Sequence, residues 1–383
     1  NSRISLSNND GGADNTVFGF LAGEALASTG DRNTLIGDYA GNDINTGDDN
    51  IAIGSNALLV HNTGSRNIAI GVNAMSDTDA NATPRGSNDN IFIGYDAGSG
   101  EWATGTESYG NVAVGTHTMK GDLSTALYNT ALGYNASGGL TTGSDNVAIG
   151  NLAGDGATSA ARTVVIGSGA ASVVMITNTG GSIPSYADGT VAIGYQALTA
   201  LTSGAGNTAV GYLALSTENT SGGNTAIGYR VLKDQVGGTT YVYNTAMGFE
   251  AGLDITTGLQ NVMIGSYALG DATTEVDDNV AIGYSAMGGN IAAEAVNDCV
   301  AVGSLALSGA LEEESSGTVA IGQSALVALT SGANNTAIGY QSLLGLTTGA
   351  SNVVIGNNAA DAMVGGESNN IAIGYQAMTV VNE

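Results

Sequence analysis

The chain has 383 residues, with 60 glycines, two prolines and one cysteine, and 34 acidic against eight basic side chains give it a formal charge of −26. So few lysines and arginines cannot neutralise nucleic-acid phosphates, an anionic membrane surface is excluded on the same ground, and no run of 18 apolar residues is present to span a bilayer. One cysteine rules out an intramolecular disulfide framework, and glycine without a Gly-X-Y triplet rules out collagen.

Residues 1–14 read as a lead-in. They start at Asn1 with neither a methionine nor a visible signal peptide, as expected of a processed or partial product. From residue 15 to residue 378 one unit repeats, and 379–383 form a short tail. Each copy closes on a glycine, the first at Gly19 and the last at Gly374, with Gly54, Gly71, Gly150, Gly228 and Gly339 among the twenty. Nine of the nineteen spacings are 17 residues and four are 18. An unbroken array of this kind argues for a single repeat domain rather than for two or three globular ones.

Aligned on the glycine, the copies give sharp columns. Three residues before it the side chain is always Thr, Val or Ile; one before it stands an apolar residue, as at Ile53, Ile70, Ile149, Ile227, Ile338 and Ile373. Alternate β-branched and apolar positions predict a short strand, and alternation places both columns on one face, taken as the coil interior. The residue between them is alanine in fourteen copies and never polar. A strand apolar on both sides is covered on both, so this second face is expected to pack against the same strand in sister chains. The glycine suits a bend or a close backbone approach. An aromatic follows it in ten copies, and alanine stands three residues after it in seventeen, predicting a second short strand before a loop with turn chemistry such as "LTTGASN".

Four residues before the glycine sixteen copies have asparagine, among them Asn33, Asn50, Asn67, Asn146, Asn224, Asn335, Asn352 and Asn370; Thr163, Thr190, Cys299 and Thr318 fill the other slots. Stacked asparagines can pass amide hydrogen bonds from coil to coil; alternatively, asparagine serves there because it tolerates a left-handed turn. The fold class is therefore all-β, a β-solenoid of about twenty stacked coils of ~17 residues. At the strand spacing of about 4.8 Å, twenty coils make a rod roughly 95 Å long.

Longer insertions fall at 76–89, 98–110 and 172–189, and hold Pro84, Pro184 and the lone tryptophan, Trp102. They read either as a binding face or as tolerated surface loops. Catalytic material is scarce: His61 and His117 are the only histidines, Lys120 and Lys233 the only lysines, so the chain is not expected to be an enzyme and no cofactor is expected. Acidic runs at Asp43, Asp48 and Asp49, at Asp277 and Asp278, and at Glu312, Glu313 and Glu314 could hold Ca²⁺, but lack EF-hand spacing and read first as a solvated acidic surface. Asn81, Asn135, Asn219 and Asn334 head N-x-S/T sequons.

The columns seen as "NTAIGYRVL" at 224, "NVAIGYSAM" at 279 and "NTAIGYQSL" at 335 resemble the head repeats of trimeric autotransporter adhesins, and look closer still to the repeats of phage and bacterial tail-fibre proteins. The resemblance covers essentially the whole chain, although the unit of 17 is longer than the adhesin repeat. It implies a β-roll, three chains side by side, displayed extracellularly on a cell surface or virion. The function expected is a structural or adhesive fibre acting as spacer or attachment rod, self-associating, with a glycan or cell-surface receptor as a further partner. The alternatives are a homopolymeric filament assembled by end-to-end stacking and a polysaccharide-processing fibre.

Overall fold

The computed structural model describes residues 2–5, 12–78, 86–102, 107–172, 188–236, 241–272, 276–291, 295–312 and 315–379. They form an all-β solenoid, without α-helix, in two compact units: 1–195 with 201–205, and 196–200 with 206–383.

In the first unit the coils carry the strands Thr16–Phe20 through Val191–Ile193, each pairing in parallel with the one before it. The register is exact to the residue, so Val147, Ala148 and Ile149 face Val164, Val165 and Ile166. Ahead of them Ser2–Ser5 runs antiparallel to Thr16–Phe20, Arg3 opposite Gly19, and occupies an edge that an open parallel strand would leave unpaired. The second unit repeats the parallel pattern from Thr208–Val210 to Ile371–Ile373.

The inside and outside of the coil are the reverse of the sequence expectation. Ala52, Ala209, Ala226, Ala281 and their equivalents are fully buried and fill the bore. The flanking β-branched residue and Ile53, Ile70, Ile149, Ile227 and Ile338 are only half-buried and Ile373 is exposed, all on the outer face. The reason is the width of the bore. The alanine in the strand and the alanine three residues after the glycine both point inward, along with a larger residue four after it such as Leu58, Met75 or Leu215. Small residues on the strand side let the opposing chain segments approach, while the β-branched columns stack coil on coil outside, where cross-strand contact covers their flanks.

Where the bore receives a large strand residue, a glycine makes room. A Cβ on Gly98 would lie 2.5 Å from Phe92 Cδ1, and one on Gly41 2.6 Å from Leu35 Cδ2. Trp102 packs against Phe92 with ring centroids 5.7 Å apart and donates its indole N–H to the Gly98 carbonyl. It is therefore an interior residue and not part of an exposed insertion. Pro84 and Pro184 lie outside the described residues.

The predicted second strand is replaced by turns. The residues two and four after the glycine adopt left-handed backbone in coil after coil, for example Asn56 (φ 58°) and Leu58 (φ 50°), Gln341 (φ 54°) and Leu343 (φ 49°). Left-handed backbone costs a non-glycine residue about 1–2 kcal/mol. Burying the leucine contributes about 1.5–3 kcal/mol, which offsets it.

Candidate functional site: an apolar outer face beside an aromatic ladder

Three columns reach the outside of each unit: the β-branched residue, the apolar residue before the glycine, and the residue after it. Many are well exposed despite being apolar, including Leu132, Met247, Ile264, Ile321 and Ile355 before the glycine and Tyr95, Tyr134, Tyr212, Tyr229, Phe249, Tyr284 and Tyr340 after it. Across the twenty segments running from three before to one after the glycine, Asp38 is the only charged residue. A chain with 34 acidic side chains has thus kept nearly all of them off this surface.

The aromatic column becomes a ladder in the second unit. Tyr212, Tyr229 and Phe249 stack face to face with successive centroids 5.1 Å apart, and Tyr267 meets Phe249 edge-on at 5.4 Å. In the first unit His117 stands edge-on between Tyr95 and Tyr134, its Nδ1 3.6 Å from Asp96.

Behind this face the asparagine column is a buried ladder. The backbone N–H of Asn50 donates to Asn33 Oδ1, that of Asn67 to Asn50 Oδ1, and so on through Thr163, which donates to Asn146 Oδ1. In the second unit Asn224 donates likewise to Asn207, Cys299 to Asn279, Asn352 to Asn335 and Asn370 to Asn352. Several side-chain amides complete the step by donating to a loop carbonyl, as Asn33 does to Gly47 and Asn335 to Gly349. Cys299 is a buried occupant of this column, its thiol pushed up to about 11 first by burial. Asn261→Ala removes the acceptor of the Asn279 N–H (3.0 Å) in a fully buried site. The expected loss is about 1–3 kcal/mol, read as a lower urea midpoint with faster exchange of the Asn279 amide.

Sequence reasoning missed a second ladder, running the opposite way, six residues before the glycine. Here the side chain accepts from the preceding coil: Asp31 from the Ala13 N–H, Asp48 from Asp31, Ser65 from Asp48, and in the second unit Asp277 from Leu259 and Asn297 from Asp277. The recurrence of Asp, Asn and Ser at that position was its signal. Asp49 pairs with Arg32 and Asp89 with Arg66. Asp48, Asp49 and Asp277 therefore already serve contacts between coils, and no group of three His, Cys, Asp or Glu among the described residues is arranged to hold a metal. Glu313 and Glu314 lie outside those residues, as does Asn81. His61 is buried with Nδ1 2.6 Å from Thr78 Oγ1, Asn135 donates to the Asp155 carboxylate, and Asn334 is exposed.

The carboxylates set a pH dependence. Loss of solvent raises Asp43, Asp77, Asp155 and Asp254, with neighbouring carboxylates adding to it at Asp43 (Glu24), Asp77 (Glu101 and Asp122) and Asp254 (Asp234 and Asp271). Hydrogen bonds from Arg32 and Arg66 lower Asp49 and Asp89. A raised carboxyl binds its proton more readily in the folded chain, so stability grows as pH falls from neutral toward the ordinary carboxylate range near pH 4. The stabilisation from the lowered pair is present above the ordinary value and is lost only as pH falls through their depressed values. The urea midpoint is accordingly expected to rise as pH falls from 7 toward the ordinary carboxylate range.

No family model and no curated protein matches this sequence. Among the described residues no helix is long and apolar enough to cross a membrane.

Proposed function

We propose that the chain is a structural or adhesive fibre component, displayed extracellularly on a cell surface or virion as a spacer or attachment rod, whose copies associate side by side through the outer face. The observation that carries this reading is the near absence of charge from that face. Copies each bearing −26 repel one another, and close approach is favoured only where charge is missing and apolar surface is gained. Soluble monomers rarely leave a contiguous apolar patch above a few hundred Å² uncovered, yet here the patch recurs in coil after coil of both units. A count of three chains rests on the resemblance to adhesin heads. An adhesive role adds a glycan or receptor as partner. The antiparallel strand Ser2–Ser5, seated on the edge of Thr16–Phe20, favours side-by-side association over end-to-end stacking.

Light scattering tests this. The wild-type chain is expected at a discrete multiple of 37.7 kDa, three for a trimer. The double substitution Ile227→Glu with Ile282→Glu, both half-buried outer-face positions, should give a monomer with unchanged β-sheet circular dichroism. A wild-type protein that stays monomeric at every concentration rules the association out, and open-ended polymers would speak for the filament.

A further inference from the structure

Between the column before the glycine and the column after it runs a strip that carries no side chain, because every coil puts glycine there. In the second unit this strip passes over Gly211, Gly228, Gly248 and Gly265, all partly accessible. One wall is Val210, Ile227, Met247 and Ile264. The other is the ladder Tyr212, Tyr229 and Phe249, with relative exposures of 43, 41 and 41% and ring planes within 7° and 6° of parallel. Four successive copies, with Tyr195, Tyr212, Tyr229 and Phe249, carry an aromatic after the glycine, and no other run among the described coils reaches three; Tyr340, for instance, has Gln323 and Asn357 in the neighbouring coils.

We propose that this furrow binds elongated planar aromatic cations lying along the direction in which the coils stack. A floor without side chains lets a flat molecule approach the backbone, and the in-register strands hold both walls at one fixed spacing. Four coils at the strand spacing give a track of about 15 Å, the length of a two- or three-ring dye. The ring faces within the ladder are occupied by one another, so the ligand meets ring edges and aliphatic side chains, and binding comes from burial of its flat apolar surface.

Charge selects the sign. Neither wall nor floor holds a charged residue, and Arg230 and Glu250, two positions beyond their glycines, pair with each other at 2.7 Å. The field felt in the furrow is then that of a chain of net charge −26, which attracts cations and repels anions. The furrow shares Ile227 and the ring column with the face through which copies are proposed to associate, so dye binding is measured on chain that light scattering shows to be monomeric, by dilution or through an outer-face substitution away from the furrow such as Ile338→Glu.

Titration of the full chain with thioflavin T, a planar cation of this length, is the test. A saturable rise in dye fluorescence is expected, weaker for an anionic dye of similar shape. Tyr229→Ser with Phe249→Ser, both surface positions, should weaken binding about tenfold, the equivalent of roughly 1.4 kcal/mol, whereas Tyr340→Ser should leave it unchanged. Met247→Lys sets a like charge on the opposite wall and should weaken binding without touching the ladder. The proposal is overturned by absence of saturable binding, by binding indifferent to both the double substitution and Met247→Lys, or by an equal loss on Tyr340→Ser.

Discussion

Gly150→Ala is expected to open its coil from that of Gly167 and to cost more than about 3 kcal/mol. Two independent effects combine at this position. Its φ of +135° is a region that side-chain-bearing residues rarely enter, a strain of about 1–3 kcal/mol by itself. A Cβ built there would also stand 2.7 Å from the Gly167 carbonyl oxygen and 2.8 Å from its carbonyl carbon. Both are backbone atoms of the next coil, so no rotamer change can relieve the clash. Relief requires the coil of Gly150 to separate from that of Gly167, which breaks the Gly167 N–H bond to Ile149 at 2.8 Å. In a stacked array each coil is stabilised mainly by its neighbours, so the damage appears as a local opening. Limited proteolysis and amide exchange should locate it between residues 130 and 170. Gly189→Asn is the control. Gly189 has φ +70°, and a Cβ there would meet no atom of the described residues within 4 Å; Asp14, Arg32 and Asp145 occupy the same column at φ of about 60°. A change within about 1 kcal/mol is expected there, asparagine being tolerant of left-handed backbone. Equal damage from the two substitutions would mean that the coils are not stacked glycine upon glycine.

The stacking itself was legible in the sequence, because a period of 17 combined with β-branched residues at a fixed offset admits few arrangements other than parallel strands in register. The asparagine column was legible for the same reason: a side chain repeated once per coil faces its own copy. Which face lies inside was not legible. Alternation says that Thr225 and Ile227 share a face opposite Ala226, but hydrophobicity alone suggests that the bulkier pair is the core. The bore is too narrow for that, and the clue lay in a second alanine column, Ala57, Ala197 and Ala306 among it, that meets the first from the other side. Left-handed leucines such as Leu198 and Leu326 could not be anticipated, since isolated leucine disfavours that backbone and only burial within the coil compensates. The carboxylates misled in a different way: Asp48 and Asp277 sit in acidic runs that look solvated, yet each accepts a backbone N–H from the preceding coil.

Ala281→Asp and Ile282→Asp, adjacent in the chain, should differ by several kcal/mol in the sense opposite to residue size. Ala281 is fully buried, in register with Met263 in the coil before and Ala301 in the coil after. An aspartate there has alanine and methionine for neighbours and no cation to pair with. Burying an unpaired carboxylate costs several kcal/mol even after relaxation, so the substituted chain is expected to lose the fold around that coil or to hold it only when the carboxyl is protonated. Stability recovered at acid pH would be the signature of that second outcome. Ile282 lies on the outer face, where an aspartate keeps its water. The cost there is reduced to poorer strand propensity, about 1 kcal/mol, together with any association made through the face. Ala281→Leu separates charge from volume: in a packed bore the extra methylenes cost about 1–3 kcal/mol, between the two aspartates. Urea midpoints for the three variants, with circular dichroism at pH 7 and pH 4, decide the order. Were Ile282→Asp the more damaging to folding of the isolated chain, the isoleucines would have to line the interior, and the outer face from which association and ligand binding are argued would not exist.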